Sequence, residues 1–239
     1  MSAHSRCAVA GSTPASVSRA AASGAWKRVW PKSKRTARKG KGRLTLPADV
    51  DQVWLTAALA ADAAEGKGVL PDTIRPLRHG ARLVGTVSTC AVAPGDNASV
   101  RAALEAGPQG GPILVVAGAA ESAAAIMGGL VAEALSIKSF TAVVTDGLVR
   151  DSEEVAEFLK VWCRGTTTLA PVKKAQPVVG ETVTIGGVSI APGDYVVADA
   201  DGVVVWPAAA VDKLRELARE RDARDQARAA MLRRTGKLD

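Results

Sequence analysis

Only two histidines occur in the sequence, His4 and His79, and that scarcity removes several chemistries at once. His4 lies in a basic leader and His79 in Leu77-Arg-His-Gly80, a turn-like tetrapeptide, so no Ser–His or Cys–His nucleophile pair is expected. The three cysteines, Cys7, Cys90 and Cys163, are odd in number and form no CxxC spacing. That argues against a disulfide framework or a zinc site and fits a reducing compartment, the cytoplasm. No apolar run reaches the roughly 18 residues that a membrane helix needs, and no secretory h-region is present. Aromatics make up 3% of the chain, so Ala, Val and Leu must fill its core.

Acidic residues are absent from positions 1–48, which hold 11 of the 31 Lys and Arg. The remaining 20 basic residues face 24 acidic ones, so residues 49–239 carry a net charge of −4. The basic character belongs to the leader, and nucleic-acid binding is not expected of the folded part. Residues 1–45 sustain no apolar period and are read as a disordered extension, a transit segment, a nucleic-acid-binding arm or an over-extended start. With 47% hydrophobic residues, the rest is long enough for a globular core.

Periodicity divides that body. Val53–Ala64 is expected to be a helix, Ala81–Val92 a strand, Pro94–Asn97 a turn and Ala98–Ala106 a helix. Pro112–Ala117 and Ala142–Thr145 read as short buried strands, with Leu130–Ile137 and Ser152–Trp162 as helices after them. Strands alternating with helices indicate an α/β core. Val178–Pro207, punctuated by Gly186-Gly187, Pro192-Gly193 and Asp201-Gly202, reads as a meander of short strands. Ala208–Arg234 is a long charged helix whose apolar stripe thins after Ala218, as in a helix that is solvated or packed on another subunit. The division is thus an extension (1–45), an α/β domain (46–207) and a C-terminal helix (208–239).

The stretch richest in chemistry is Thr145-Asp-Gly-Leu-Val-Arg-Asp151, which leaves the end of a buried strand where α/β folds gather ligand groups. Arg150 can clamp a carboxylate in two bonds, and Asp151 can offer hard oxygens to Mg²⁺ or Mn²⁺. Asp151 with Glu154 is equally a capping box, the commoner use of this spacing, which would leave Arg150 a surface cation. Met127-Gly128-Gly129-Leu130-Val131 enters a helix and can open backbone amides to an anion, or it is a plain close-packed loop. Gly95-Asp96-Asn97 either borders the same cleft or forms an Asx turn. Cys90 and Cys163 are read as packed thiols, one in a strand and one after a helix.

Taken together, several segments carry a likeness: Gly80-Ala-Arg-Leu-Val-Gly85, Gly95-Asp-Asn97, Gly128-Gly-Leu-Val131, Val143-Val-Thr-Asp-Gly-Leu-Val-Arg-Asp151, Arg164-Gly-Thr166, and Gly186 to Asp194 with Val196 to Val205. The chain resembles the RraA-like / 4-hydroxy-4-methyl-2-oxoglutarate aldolase (HMG/CHA aldolase) family over roughly residues 50–235. The resemblance implies a swivelling β/β/α fold and a homotrimer or a hexamer with sites between subunits. It implies a class II pyruvate aldolase that needs Mg²⁺ or Mn²⁺, cleaves a 4-hydroxy-2-oxo acid and decarboxylates oxaloacetate. On that pattern Asp151 is the metal ligand and Arg150 holds the oxo acid. The amides of Gly128, Gly129, Leu130 and Val131 receive its carboxylate.

One departure stands out. The family's aldolases place an Asp 21 residues before the Arg, and here that position is Gly129. Either the metal is held more weakly, or Glu220, Asp222 or Asp225 of the C-terminal helix compensates across an interface. The family's other branch, protein regulators that bind ribonuclease E, is the alternative reading. Asp151, which that branch lacks, favours the enzyme.

Overall fold

The computed structural model describes residues 54–237. The basic extension and the first residue of the expected Val53–Ala64 helix lie outside them. Helix α1 (Ala57–Ala63) starts at Thr56, whose hydroxyl accepts the Leu59 N–H. After it come β1 (Arg75–Pro76), β2 (Leu83–Ala91), α2 (Ala98–Ala106), β3 (Ile113–Ala117), β4 (Ala125–Met127) and α3 (Gly129–Ile137). Next are β5 (Ala142–Thr145), β6 (Leu148–Val149), α4 (Ser152–Phe158), β7 (Lys160–Cys163) and β8 (Gly165–Thr166). The chain closes with β9 (Val178–Val179), β10 (Val183–Ile185), β11 (Val188–Ile190), β12 (Tyr195–Ala198), β13 (Val203–Trp206) and α5 (Val211–Thr235).

These elements make a mixed α/β fold with a long C-terminal helix, as the sequence pattern implies. The main sheet runs β1-β7-β5-β3-β2-β12-β13, with β9 beside the far end of β2. Its centre, β2-β3-β5-β7, is parallel, and its flanks are antiparallel. Both faces of that centre are covered, which is why Ile113–Ala117 and Ala142–Thr145 are apolar without alternation. Leu114, Val116 and Val143 pack among α2, α3 and α4, whereas Ile113, Val115 and Val144 face the β10–β11 hairpin. A third cluster joins α1 and α5 to β12 and β13 through Ala60, Ala218 and Trp206.

The expected helix Ser152–Trp162 requires correction. It stops at Phe158, Leu159 turns extended (φ −135°, ψ 148°), and Lys160–Cys163 becomes a strand between β5 and β1. Val155, Phe158, Leu159 and Trp162 keep helical spacing, so the period runs on although the backbone does not. Cys163 therefore lies in a strand. Trp162 is fully buried, and its indole N–H donates to the Asp199 carbonyl at 2.9 Å.

Three core strands break and resume as a second, smaller parallel sheet, β4-β6-β8. The break is pinned by side chains. The Asp146 carboxylate accepts the Gly118 and Ala119 N–H groups, and the Arg164 guanidinium donates to the Ser122 and Asp146 carbonyls. Gly147 is required there, since a Cβ would stand 2.6 Å from that of Ala119.

Trp162→Ala should lower unfolding free energy by about 3–5 kcal/mol through the cavity it opens. Trp162→Phe, which opens a smaller cavity and removes the indole bond to Asp199, should cost about 1–3 kcal/mol, less than alanine. Urea denaturation of the two variants measures both, and equal losses would refute the assignment.

Candidate functional site at the paired helix starts

Strands β4 and β6 are parallel neighbours, with Met127 opposite Val149, and the Arg150 N–H donates to the Met127 carbonyl at 3.0 Å. Each strand feeds a helix almost at once, so the amino ends of α3 and α4 come out side by side. Gly128 and Gly129 open the first helix, and Arg150 and Asp151 open the second.

Asp151 does not cap its own helix. Its backbone is left-handed (φ 52°, ψ 46°), and its side chain makes no capping bond to α4. A capping residue ordinarily has an extended backbone that aims its oxygen at the following amides. The left-handed conformation costs a non-glycine residue about 1–2 kcal/mol, and such outliers concentrate at working sites. Here it turns the carboxylate toward α3, where Oδ2 lies 3.4 Å from the Gly129 nitrogen and 3.5 Å from Arg150 Nε. Both side chains are nearly half exposed, 40% and 48%. A pair so open contributes about 0–1 kcal/mol, so stability alone does not explain the arrangement.

The four candidate amides divide. The Val131 N–H is bonded to the Gly128 carbonyl within the first turn, and the Gly129 N–H faces Asp151. A Cβ on Gly128 would stand 2.5 Å from Asp151 Oδ2 and 3.0 Å from Arg150 Nε, so a larger residue there would push this pair aside.

Gly129 is smaller still in effect, since its missing side chain is replaced in space by another. A Cβ on it would collide with the carboxyl group of Glu154. Glu154 is exposed, one turn into α4, and stands three residues after Asp151 on the same helix flank. The sequence reading used Glu154 only as a capping partner. Its combination with a glycine where the resemblance expects an aspartate was the available signal. Of the C-terminal candidates, Asp225 is paired with Arg221 and Asp222 accepts from Gln226, both along α5.

Two carboxylates converging on Gly129 are hard oxygen donors of the kind that suits Mg²⁺ or Mn²⁺, which keep several waters and take one or two carboxylates from a protein. Among the described residues no group of three or more His, Cys, Asp or Glu is placed to hold a metal. Any cation would therefore rest on Asp151 and Glu154 and complete its shell with water or substrate.

The remaining candidates are structural. The Lys174, Ala98 and Ala175 N–H groups hold the Asp96 carboxyl below the ordinary carboxylate range. Asn97 donates to the Ile126 carbonyl and so braces β4 from behind. Burial pushes the Cys90 thiol up to about 12 and raises Cys163, so neither is a thiolate near neutral pH. An apolar cavity of about 630 Å³ lies elsewhere, between Ala64, Val205, Trp206 and Leu214, and includes none of the site residues.

Known proteins share this arrangement's framework. The family description RraA-like, aldolase/RraA, matches residues 56–205. A protein of Halalkalibacterium halodurans that carries the provisional name 4-hydroxy-4-methyl-2-oxoglutarate aldolase is 37% identical over 174 residues, covering 70% of this chain and 80% of that one. The RNA-processing inhibitor RraA from Thermus thermophilis superposes with a TM-score of 0.56 at 29% identity, covering 64% of this chain and 93% of the other. An uncharacterised Pseudomonas syringae protein shares the fold at TM-score 0.67 and 23% identity, covering 82% of this chain and 96% of that one.

Asp151→Gly should leave the melting temperature unchanged or raise it, by up to about 1 kcal/mol in stability, because glycine adopts the left-handed backbone freely. Thermal denaturation checks this. A clear loss of stability would mean that the carboxylate serves the fold.

Proposed function

The chain belongs to the RraA-like family, and on that premise we propose that it is a class II pyruvate aldolase. It would depend on Mg²⁺ or Mn²⁺, cleave a 4-hydroxy-2-oxo acid of the 4-hydroxy-4-methyl-2-oxoglutarate type and decarboxylate oxaloacetate. The observation that carries this reading is the convergence of Arg150 and Asp151 on the amide end of α3, with Asp151 turned away from its own helix. The relatives provisionally named aldolases support the same reading.

In this reaction the C3–C4 bond breaks, the C4 hydroxyl gives up its proton and becomes a carbonyl, and the bond pair is left as a pyruvate enolate. A divalent cation held by Asp151 and Glu154 would supply Lewis-acid stabilisation of that charge. The protein's own part is positional and electrostatic. The Arg150 guanidinium, half exposed at the cleft, donates to the oxo-acid oxygens. The Gly129 and Leu130 amides at the positive end of α3 face the pyruvyl carboxylate. Glu154, whose carboxyl lies against Gly129, would supply the second carboxylate that the resemblance expects at that position.

The assembly proposed is a homotrimer or a hexamer in the cytoplasm. Leu130 (78% exposed) and Ile137 (75%) lie along the outer face of α3, two apolar side chains that a neighbouring copy would cover. Among the described residues no helix is long and apolar enough to cross a membrane. The structural likeness to an RNA-processing inhibitor favours a second reading, a non-catalytic regulator that binds ribonuclease E.

Manganese-dependent release of pyruvate from oxaloacetate separates the two. It should be abolished in Asp151→Ala and fall about 10²–10³-fold in kcat in Arg150→Ala. Capture of ribonuclease E by a protein without any lyase rate would support the regulator instead. Ile137→Glu should shift the assembly to monomers in light scattering, and an unchanged mass would exclude α3 as the contact.

A further inference from the structure

The lyase reading leaves the basic leader without a use. Residues 27–43 hold nine of its 11 Lys and Arg, and no Asp or Glu occurs among residues 1–48. Two of the chain's five tryptophans, Trp26 and Trp30, stand at the head of that run, in Trp26-Lys-Arg-Val-Trp-Pro-Lys32. The other three are committed to packing. Trp162 and Trp206 are fully buried, with indole N–H groups on the Asp199 and Ala60 carbonyls. Trp54 lies under the Arg219 guanidinium, 5.2 Å from its ring centre. The layer of α2, α3 and α4 is acidic on its surface, with Glu105, Glu153 and Glu157 exposed. The end of α5 is the reverse: residues 227–237 carry exposed Arg228, Arg233, Arg234 and Lys237 and no acid. The helix dipole accounts for Arg233 and Arg234 in the last turn, but not for Arg228 two turns earlier or Lys237 beyond the end.

Cations alone would bind any polyanion. Tryptophan among them adds flat faces on which unpaired bases stack, whatever their sequence. A double helix keeps its bases stacked on one another, so the pairing of Trp with Lys and Arg favours a single strand. A membrane surface would call for a sustained apolar stripe beside the charge, and residues 1–45 have none. We propose that the chain binds single-stranded nucleic acid as a second function, separate from the lyase site. Lys27 to Arg43 hold the phosphates, Trp26 and Trp30 stack bases, and the end of α5 adds further phosphate contacts. The acidic body takes no part, which confines the contact to the two basic stretches.

The test is fluorescence anisotropy of a labelled oligouridylate of about 20 nucleotides titrated with the full chain over a range of salt concentrations. Each phosphate contact to a single strand contributes about 0.7 to the slope of log K against log salt. Arg35→Gln, Arg38→Gln and Lys39→Gln together should lower that slope by about 2, and Arg233→Gln with Arg234→Gln by about 1. Trp30→Ala should weaken binding about tenfold at an unchanged slope. The same variant should bind inorganic polyphosphate, which has no bases, as tightly as wild type does. Arg101→Gln, exposed on the acidic helix layer, should match wild type throughout. The proposal is overturned if the full chain fails to bind the oligonucleotide at about 50 mM salt. It is also overturned if Trp30→Ala loses nothing on the oligonucleotide, or if Arg101→Gln lowers the slope as much as a leader cation. Tighter binding to phosphatidylserine vesicles than to the oligonucleotide would overturn it in favour of a membrane surface. An unchanged slope in the Arg233 and Arg234 pair would overturn the part given to α5.

Discussion

Two helices that begin side by side from parallel strands bring two amide ends to the same small volume, and this is the constraint on which the candidate site depends. The register of β4 against β6 creates it, because each strand delivers its chain into a helix within two or three residues. Adjacent amide ends of like polarity favour a negative group beside them, a pull of less than about 1 kcal/mol at so exposed a place. Asp151 and Glu154 provide that charge. The left-handed backbone at Asp151 is the local cost of directing a carboxylate across the gap rather than down its own axis.

The two-tier sheet explains why this pairing is rigid. The core strands β3, β5 and β7 are sealed on both faces, and each breaks before resuming in the small sheet β4-β6-β8. Asp146 and Arg164 tie the break points to one another through backbone groups, so the second tier is held at a fixed offset from the first. Much of the Thr145–Asp151 segment serves this purpose. Only its last two residues face the cleft. Asp146 binds the backbone of the strand break and Asp151 faces the amide end of α3, although they are five residues apart and chemically identical.

What could be read in the amino-acid sequence follows the same line. Ala98–Ala106 and Ala142–Thr145 were legible to the residue because burial imposes a clear pattern on them. Lys160–Cys163 was not, since Val155, Phe158, Leu159 and Trp162 face two different cores at a spacing that mimics one helix. Strands of two or three residues, such as Leu148–Val149 and Gly165–Thr166, carry no period at all. At the site, the neighbouring guanidinium and carboxylate were legible as chemistry. The left-handed turn was not, because aspartate adopts both that conformation and the extended one of a cap, and at this spacing Asp151 and Glu154 look like an ordinary capping box.

The exchange seen at Gly129 has a consequence for how such proteins are recognised. Where the resemblance expects an aspartate on α3, this chain has a glycine and brings the carboxyl of Glu154 from α4 against it. A column-by-column comparison scores that as a missing acid, whereas the volume around Gly129 contains a carboxylate. The small region beside Gly129 is fed by two helices, so a charge can be supplied to it from either. Relatives dismissed for lacking a residue at one position are better judged by what their neighbouring helix extends into it.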